Sequence, residues 1–126
     1  MPDERLRGAG VSKAKTAAIK DISAKTMAGL VPNTRSIVGM TNEEILERLT
    51  TLRGVGPWTV EMLLIFTLGR PDVLPATDYG VLKGFARAYG RKDLPHPKEL
   101  LKFGEKWRPH RTTAAWYFWR ALELPE

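Results

Sequence analysis

The feature that most constrains the fold is the segment VEMLLIFTL, which runs from Val60 to Leu68 and is apolar on nearly every helical face. This pattern is typical of a central helix that is packed on all sides. The segment is far too short to cross a bilayer, which requires about 20 apolar residues in a helix. The sequence therefore predicts a buried helix in a globular domain, and we expect no membrane as a partner.

The residues on both sides of this segment indicate further helices joined by short turns. No alternating pattern of useful length predicts a strand, and residues 30–40 read as a connector. We therefore predict an all-α fold with one domain over residues 1–126 and a hairpin motif at 41–68. The predicted helices run from Ser12 to about Ala28, from Thr41 to about Thr50, from Pro57 to Leu68, from Tyr79 to about Tyr89, from Pro97 to about Lys106, and from Pro109 or His110 to about Leu122.

Composition excludes several kinds of site. The chain has no cysteine, which excludes disulfides and thiolate metal sites, and its two histidines, His96 and His110, are too isolated to suggest zinc. The net charge of +6 favours a polyanionic partner, which is either a phosphate backbone or an anionic membrane surface at this point of the argument. Because the charged N-terminus resembles no secretion signal, we expect a cytoplasmic protein, associated with the nucleoid if the source is bacterial.

A Gly-Val-Gly turn precedes the apolar helix. Gly54 and Gly56 allow positive φ and a close approach of backbone amides to a ligand. Pro57 suits the first helical position, so the free N–H groups of the next helix point toward the same place, and Thr59 adds a hydroxyl. Such a place attracts anions, and a nucleic-acid phosphate is the natural anion for a basic protein. The alternative at this point is a turn that only connects two helices.

The wider pattern resembles that of a known family. The motif L-x-G-V-G-x-W-T is followed by the apolar helix and then by G-R-P-D-V-x-P-x-x-D-Y. At this spacing the two motifs resemble those of the helix-hairpin-helix DNA glycosylases, and the chain is most similar to the DNA-3-methyladenine glycosylase II branch. The resemblance extends to GVSKAKTAAIKDIS upstream and to FGEKWRPHRTTAAWYFWRALE downstream. It implies a helical bundle of that family and base-excision repair of double-stranded DNA that contains damaged, alkylated bases.

The resemblance also assigns roles to the hairpin residues. The turn of Gly54, Val55 and Gly56 would hold a DNA phosphate through its amides, with Thr59 as a further donor. It implies that no cofactor is required. A monovalent cation, Na⁺ or K⁺, often sits in the hairpin of family members, and by match its ligands would be the main-chain carbonyls of Thr50, Leu52 and Val55.

The resemblance places the catalytic carboxylate at Asp78. An N-alkylated purine carries positive charge and leaves without a general acid, so the reaction needs a carboxylate that stabilises the oxocarbenium-like sugar and activates water. From the residues alone, Asp78 is also a good N-cap for the helix that begins at Tyr79, and the two roles are compatible. Asp72 is the competing carboxylate, but its position in RPDVLP suggests that it braces the loop.

Bifunctional members of the family carry a lysine nucleophile at the position that Trp58 occupies here. Tryptophan cannot form a Schiff base, so the resemblance implies a monofunctional enzyme that hydrolyses the N-glycosidic bond without cleaving the strand. An aromatic residue there suits stacking on a positively charged base, and Tyr79 and Trp119 match further aromatic positions of the base pocket. Trp119 is equally explained as a core residue, and Trp107 and Trp116 are assigned to core packing.

Complete members of the family carry a further segment before the point that matches Gly10, and that segment supplies one wall of the base pocket. We therefore expect this chain to correspond to the C-terminal part of the family domain, with one side of the apolar helix left uncovered. A homodimer, a separate N-terminal segment or a rearranged N-terminal helix would cover it. Two other functions stay open beside the glycosylase: a non-catalytic DNA-binding fragment that uses the hairpin alone, and a structural fragment that self-associates.

Overall fold

A computed structural model describes residues 1–125, and this part of the chain contains helices and turns without a strand. The predicted all-α fold is therefore confirmed. Within the described residues, no helix combines the length and apolar character that a membrane span requires. The eight α-helices of this part of the chain are α1 (Asp3–Gly8), α2 (Lys13–Met27), α3 (Thr34–Val38), α4 (Asn42–Leu49), α5 (Pro57–Met62), α6 (Tyr79–Ala88), α7 (Pro97–Phe103) and α8 (Arg111–Ala121).

The described chain divides into two compact units. The N-terminal unit is Met1–Val60, and the C-terminal unit begins at Glu61. The core of the N-terminal unit contains Ile45 from α4, which is completely buried. The core of the C-terminal unit is built mainly from α6 and α8, and Phe85 lies at its centre with 1% of its surface exposed.

Capping residues begin two helices where the sequence predicted. At the start of α2 the Ser12 hydroxyl accepts the Lys15 N–H at 3.3 Å. At the start of α4, Thr41 Oγ1 accepts the Glu44 N–H at 3.1 Å, and the Glu44 carboxylate accepts the Thr41 N–H at 2.9 Å. These bonds satisfy amides that the first turn of a helix leaves without partners.

Residues 30–40 are not the plain connector that the sequence predicted, because they contain the short helix α3. Asn33 begins this helix, and its side-chain oxygen accepts the N–H groups of Arg35 and Ser36 at 3.0 and 2.9 Å. Asparagine is a preferred N-cap residue, so Asn33 is a signal in the sequence for the start of this helix. The short helix α1, which buries none of its residues, was also not predicted.

The central apolar helix differs from the prediction in geometry and in burial. It is α-helical only to Met62 and forms a π-helical turn over Leu63–Thr67, in which the Leu68 N–H bonds to the Leu63 carbonyl at 3.0 Å. Leu64 and Ile65 are buried, whereas Phe66 is 57% exposed. The helix is therefore not packed on all sides, and the exposure of Phe66 agrees with the expectation that one side of it is left uncovered.

The two tryptophans that were assigned to core packing have different environments. Trp107 packs against the core of the C-terminal unit, with its ring centroid 5.3 Å from that of Phe118. Trp116 is 44% exposed, so its assignment to the core is wrong. Its ring meets the exposed Phe66 edge to face at 5.3 Å, which leaves an aromatic surface on this unit.

Candidate functional site

The hairpin turn lies between α4 and α5 in the N-terminal unit. Leu52 is buried, and its N–H bonds to the Leu49 carbonyl at 3.1 Å. Gly54 has a φ of +80°, which L side chains rarely adopt, and a Cβ at this position would lie 3.2 Å from the Cβ of Ala18. A side chain at residue 54 would therefore strain the turn and crowd α2.

The backbone amides of the turn differ in their partners. The Val55 N–H donates to the Leu52 carbonyl at 3.2 Å, so it is used within the turn. The N–H groups of Gly54 and Gly56 have no acceptor in the part of the chain that the structure describes. Glycine leaves room for an anion to approach such donors closely. Among the amides predicted to bind phosphate, those of Gly54 and Gly56 are available.

Two residues of α2, Asp21 and Lys25, form an ion pair and hydrogen-bond to the backbone of the turn. Asp21 Oδ2 accepts the Arg53 N–H at 2.7 Å and a hydrogen bond from Lys25 Nζ at 2.9 Å. Lys25 Nζ also donates to the Thr51 carbonyl at 2.7 Å. The Arg53 amide, followed by the Lys25 ammonium, holds the pKa of the Asp21 carboxyl below its usual value. The sequence does not predict the contacts of this pair with the turn, because Lys25 and Thr51 are 26 positions apart and Asp21 and Arg53 are 32 positions apart.

The predicted ligands of a monovalent cation lie in the same turn. The Leu52 carbonyl already accepts the Val55 N–H, and the Lys25 ammonium contacts the adjacent Thr51 carbonyl. A carbonyl oxygen with one hydrogen bond keeps a second lone pair, which suits a monovalent cation. The carbonyl set of Thr50, Leu52 and Val55 therefore stays a prediction. Among the described residues, no group of three His, Cys, Asp or Glu side chains is arranged to hold a metal ion.

Trp58 and Thr59 follow the turn in the first residues of α5. The Trp58 side chain is 49% exposed, and Thr59 is exposed as well. An exposed indole presents a flat aromatic face on which a nucleic-acid base can stack. Both predicted residues are thus accessible to a ligand of the N-terminal unit.

Asp78 and Trp119 are in direct contact in the C-terminal unit. Asp78 is the N-cap of α6, where its Oδ1 accepts the Val81 N–H at 2.9 Å. The same oxygen accepts a hydrogen bond from Trp119 Nε1 at 2.9 Å, across 41 positions in the sequence. Capping therefore fixes the carboxylate and the indole orients it, an arrangement that is compatible with the predicted catalytic role.

Trp119 and Tyr79, the two aromatic residues next to Asp78, have different surroundings. Trp119 stacks on Phe66 with ring centroids 5.7 Å apart, so it combines partial packing with its polar contact to Asp78. Tyr79 is 65% exposed, and Lys83 Nζ lies 6.0 Å from the centre of its ring. Tyr79 is thus open to a ligand, while Trp119 is partly buried beside the carboxylate.

Glu61 is a titratable residue of the C-terminal unit that is not among the site residues predicted from the sequence. Burial raises the pKa of its carboxyl group from 4.5 to about 7, and the negative charge of Asp78 contributes to the increase. A carboxyl group with a pKa near neutrality, close to a second carboxylate, is a common feature of catalytic sites. The available signal was a single charged residue within an otherwise apolar helix.

The loop that precedes α6 is held to the start of α8. Thr112 Oγ1 accepts the Val73 N–H at 2.9 Å and donates to the Arg70 carbonyl at 2.6 Å. Asp72 pairs with Arg111 at 2.8 Å, and this guanidinium holds the pKa of the Asp72 carboxyl below its usual value. Asp72 therefore braces the loop, as its position in the sequence suggested.

A family model described as "HhH-GPD superfamily base excision DNA repair protein" matches residues 1–110. The chain belongs to this superfamily. DNA-3-methyladenine glycosylase 1 of Schizosaccharomyces pombe is 40% identical over 126 residues, which are 100% of this chain and 55% of that protein. Putative DNA-3-methyladenine glycosylase YfjP of Bacillus subtilis is 37% identical over 84 residues, which are 67% of this chain and 29% of that protein.

Solved structures of the superfamily share the fold. The 3-methyladenine DNA glycosylase Mag1 of Schizosaccharomyces pombe, in complex with abasic DNA, matches with a TM-score of 0.87 at 41% identity, over 98% of this chain and 60% of that chain. A DNA-3-methyladenine glycosidase from Bacillus halodurans matches with a TM-score of 0.86 at 36% identity, over 96% of this chain and 55% of that chain. The chain thus spans little more than half the length of these relatives.

Proposed function

We propose that this protein acts in base-excision repair as a monofunctional DNA glycosylase that hydrolyses the N-glycosidic bond of alkylated, 3-methyladenine-type bases in double-stranded DNA. The observation that carries the proposal is the Asp78 carboxylate, whose Oδ1 accepts bonds from Val81 and Trp119 at 2.9 Å each. Membership of the HhH-GPD superfamily supports it, as do relatives named DNA-3-methyladenine glycosylase and the likeness to Mag1 in complex with abasic DNA.

In this mechanism Asp78 acts on the sugar. As the base leaves, the sugar develops positive charge, and a carboxylate at about 4 Å in an effective dielectric near 20 stabilises it by roughly 4 kcal/mol, or about 10³-fold in rate. The same carboxylate orients the attacking water and takes its proton. Because the Val81 amide and the Trp119 indole hold Asp78 before the reaction begins, little reorganisation is needed at the transition state.

The aromatic residues account for the choice of base. A positively charged, alkylated purine leaves without protonation, so the reaction requires no general acid. Trp58 cannot act as a nucleophile in the way a lysine does, and its exposed indole offers a face for stacking on an electron-poor base. Within the C-terminal unit, Tyr79 and Trp119 offer aromatic surface next to Asp78. The products are a free base and an intact strand with an abasic position.

The hairpin turn supplies the proposed contact to the DNA backbone. The amides of Gly54 and Gly56 and the hydroxyl of Thr59 would donate to one phosphate, and the net charge of +6 would attract the duplex from a distance. A Na⁺ or K⁺ ion on the carbonyls of Thr50, Leu52 and Val55 would stiffen the turn in the same complex.

Release of free bases from methylated duplex DNA tests the proposal directly. Asp78→Asn removes the charge but keeps a good N-cap, so the helix is retained while base release falls by about 10²–10³-fold. Asp93→Asn, at an exposed position outside the helices, is the matched control and leaves release unchanged. Unchanged release by Asp78→Asn would refute the mechanism. DNA binding by the wild type without any release would instead favour a non-catalytic DNA-binding module.

We also propose that the chain associates with a second copy of itself. Phe66, Trp116 and Tyr117 of the C-terminal unit are 57%, 44% and 71% exposed, and large exposed apolar patches mark protein–protein interaction sites. A two-fold symmetric dimer is the simplest closed arrangement. Sedimentation velocity at several protein concentrations tests this, and a monomer mass at every concentration would contradict it.

A further inference from the structure

We propose that Asp21 and Lys25 are positioning residues of the hairpin turn, which hold it in the form that presents the Gly54 and Gly56 amides to a DNA phosphate. This inference rests on the proposed function, because it concerns the DNA contact of that same site. Neither residue touches the nucleic acid in this proposal. Both act through the backbone of the turn.

The backbone of the turn is tied to α2 on both sides of the buried Leu52. Before Leu52, the Thr51 carbonyl accepts a hydrogen bond from Lys25 Nζ at 2.7 Å. After Leu52, the Arg53 N–H donates to Asp21 Oδ2 at 2.7 Å. Two bonds that flank one buried side chain restrict rotation of the peptide units between them. The conformation of the turn therefore depends on α2 as well as on its own residues.

The residues of α2 that meet the turn lie on one face of the helix. Ala18, Asp21 and Lys25 are three and four positions apart, the spacing of neighbours on a helix surface. A Cβ at Gly54 would lie 3.2 Å from the Cβ of Ala18, so the turn is packed closely against this face. The Asp21 and Lys25 side chains are 27% and 28% exposed, and partial burial of this kind reduces screening of their attraction.

Removal of Asp21 should change the DNA affinity in the direction opposite to the one that its charge alone predicts. A carboxylate close to a phosphate site disfavours an anion, so removal of the Asp21 charge alone would strengthen DNA binding. If Asp21 positions the turn, its removal weakens binding, because the Arg53 N–H loses its acceptor and the amides of Gly54 and Gly56 are no longer held in place.

Two variants of Asp21 separate these effects. Asp21→Asn and Asp21→Ala both remove one negative charge, but only asparagine keeps an oxygen that can accept the Arg53 N–H. With a fluorescent methylated duplex as the probe, we expect Asp21→Ala to raise the Kd about fivefold to tenfold and Asp21→Asn to stay within about twofold of the wild type. Glu47→Gln, at an exposed position of α4, controls for loss of charge alone. Binding by Asp21→Ala that equals or exceeds wild-type affinity would overturn the proposal.

Lys25→Met provides a second test that does not depend on the stability of the Asp21 variants. Because Lys25 acts through the turn, its loss weakens binding without changing the slope of log Kd against log salt, whereas loss of a direct phosphate contact lowers that slope by about 0.9. A lower slope for Lys25→Met would overturn the proposal. Lys20→Met, on the exposed face of the same helix, controls for the loss of one positive charge.

Base release separates this inference from the proposed function. The variants of Asp21 and Lys25 leave Asp78 untouched, so release at saturating DNA stays at the wild-type rate while the DNA concentration for half-maximal rate rises. Circular dichroism confirms that each variant keeps its helices. A wild type that does not bind DNA would contradict the proposed function. A wild type that binds, together with an unaffected Asp21→Ala, would contradict only the positioning role.

Discussion

Gly84 on α6 lies against the backbone of Phe118 on α8, so closely that a Cβ at residue 84 would be 2.0 Å from the Phe118 carbonyl oxygen. The two helices can take this separation only because residue 84 has no side chain. Asp78 caps the start of α6, and Trp119 follows Phe118 on α8. The close contact between the helices therefore helps to bring the indole of Trp119 within hydrogen-bonding distance of the carboxylate.

Gly84→Ala should destabilise the protein strongly. The added methyl group must push α6 and α8 apart, and we expect the free energy of unfolding to fall by about 3 kcal/mol or more. Base release should fall as well, because the contact between Trp119 and Asp78 depends on the same separation. Urea denaturation measures the change. Gly39→Ala is the control, since a Cβ there would approach no atom more closely than 3.9 Å, and equal stability of the two variants would refute the packing argument.

Trp119→Phe should remove the hydrogen bond to Asp78 while keeping an aromatic ring. A hydrogen bond to a charged group contributes roughly 1.5–3 kcal/mol, and we expect stability to fall by about 1–2 kcal/mol and base release to slow without a change in DNA affinity. Thermal unfolding and single-turnover base release provide the measurements. Trp116→Phe is the control and should change neither quantity, because the bond to Asp78 comes from Trp119 and Trp116 is partly exposed. Identical behaviour of the two variants would show that the indole N–H is unimportant.

Glu61 should make the stability of the protein depend on pH. Its pKa is about 7 in the folded state against an ordinary value of 4.5, so the folded state binds this proton more tightly than the unfolded state does. The stability from this group is fully present below pH 4.5 and is lost as the pH rises through about 7. Glu61→Gln should be more stable than the wild type at about pH 8, by roughly 1 kcal/mol after allowance for solvent screening of a partly exposed group.

Urea denaturation of Glu61→Gln and the wild type at several pH values measures this effect. The two proteins should have nearly equal stability at about pH 4, and the difference should grow until about pH 8. Because all other groups are shared, the difference isolates the contribution of Glu61. A difference that does not change with pH would mean that the pKa of Glu61 is not raised.

Thr112→Val should release the loop that precedes α6. Valine has nearly the same shape as threonine, but it leaves the buried Val73 N–H without its acceptor, which costs about 1–3 kcal/mol. We expect lower stability and slower base release. Thr113→Val, at the neighbouring exposed position, is the matched control and should be close to neutral. Hydrogen exchange at the Val73 amide reads out the lost bond directly, and unchanged protection there would contradict this account.

The sequence predicted those features that depend on neighbouring residues. The capping box of Thr41 and Glu44 spans three positions, and its two hydrogen bonds form as expected. The hairpin motif and the motif that contains Asp78 resemble those of the family. The family model and the similar structures confirm that the chain belongs to it.

The remaining features of the site depend on contacts between distant residues. The Asp78–Trp119 bond spans 41 positions and the Asp21–Arg53 bond spans 32, and one sequence contains no signal that pairs such residues. The exposure of Trp116 was missed for a related reason. Its burial depends on which surfaces other helices cover, and this does not follow from the residues near it in the sequence.

The bonds of Thr112 also bear on the order in which the site is built. They link α8 to carbonyl and amide groups 39 and 42 positions earlier, and contacts of such long range form late in folding. During synthesis on the ribosome, the segment that carries Asp78 emerges well before α8, and α6 can cap its first turn at once. The Trp119 indole and the Thr112 hydroxyl lie on α8, so they become available only when this helix has been made. A nascent chain that stops before α8 would therefore carry the carboxylate without the indole that orients it, and under the proposed function it should release bases poorly.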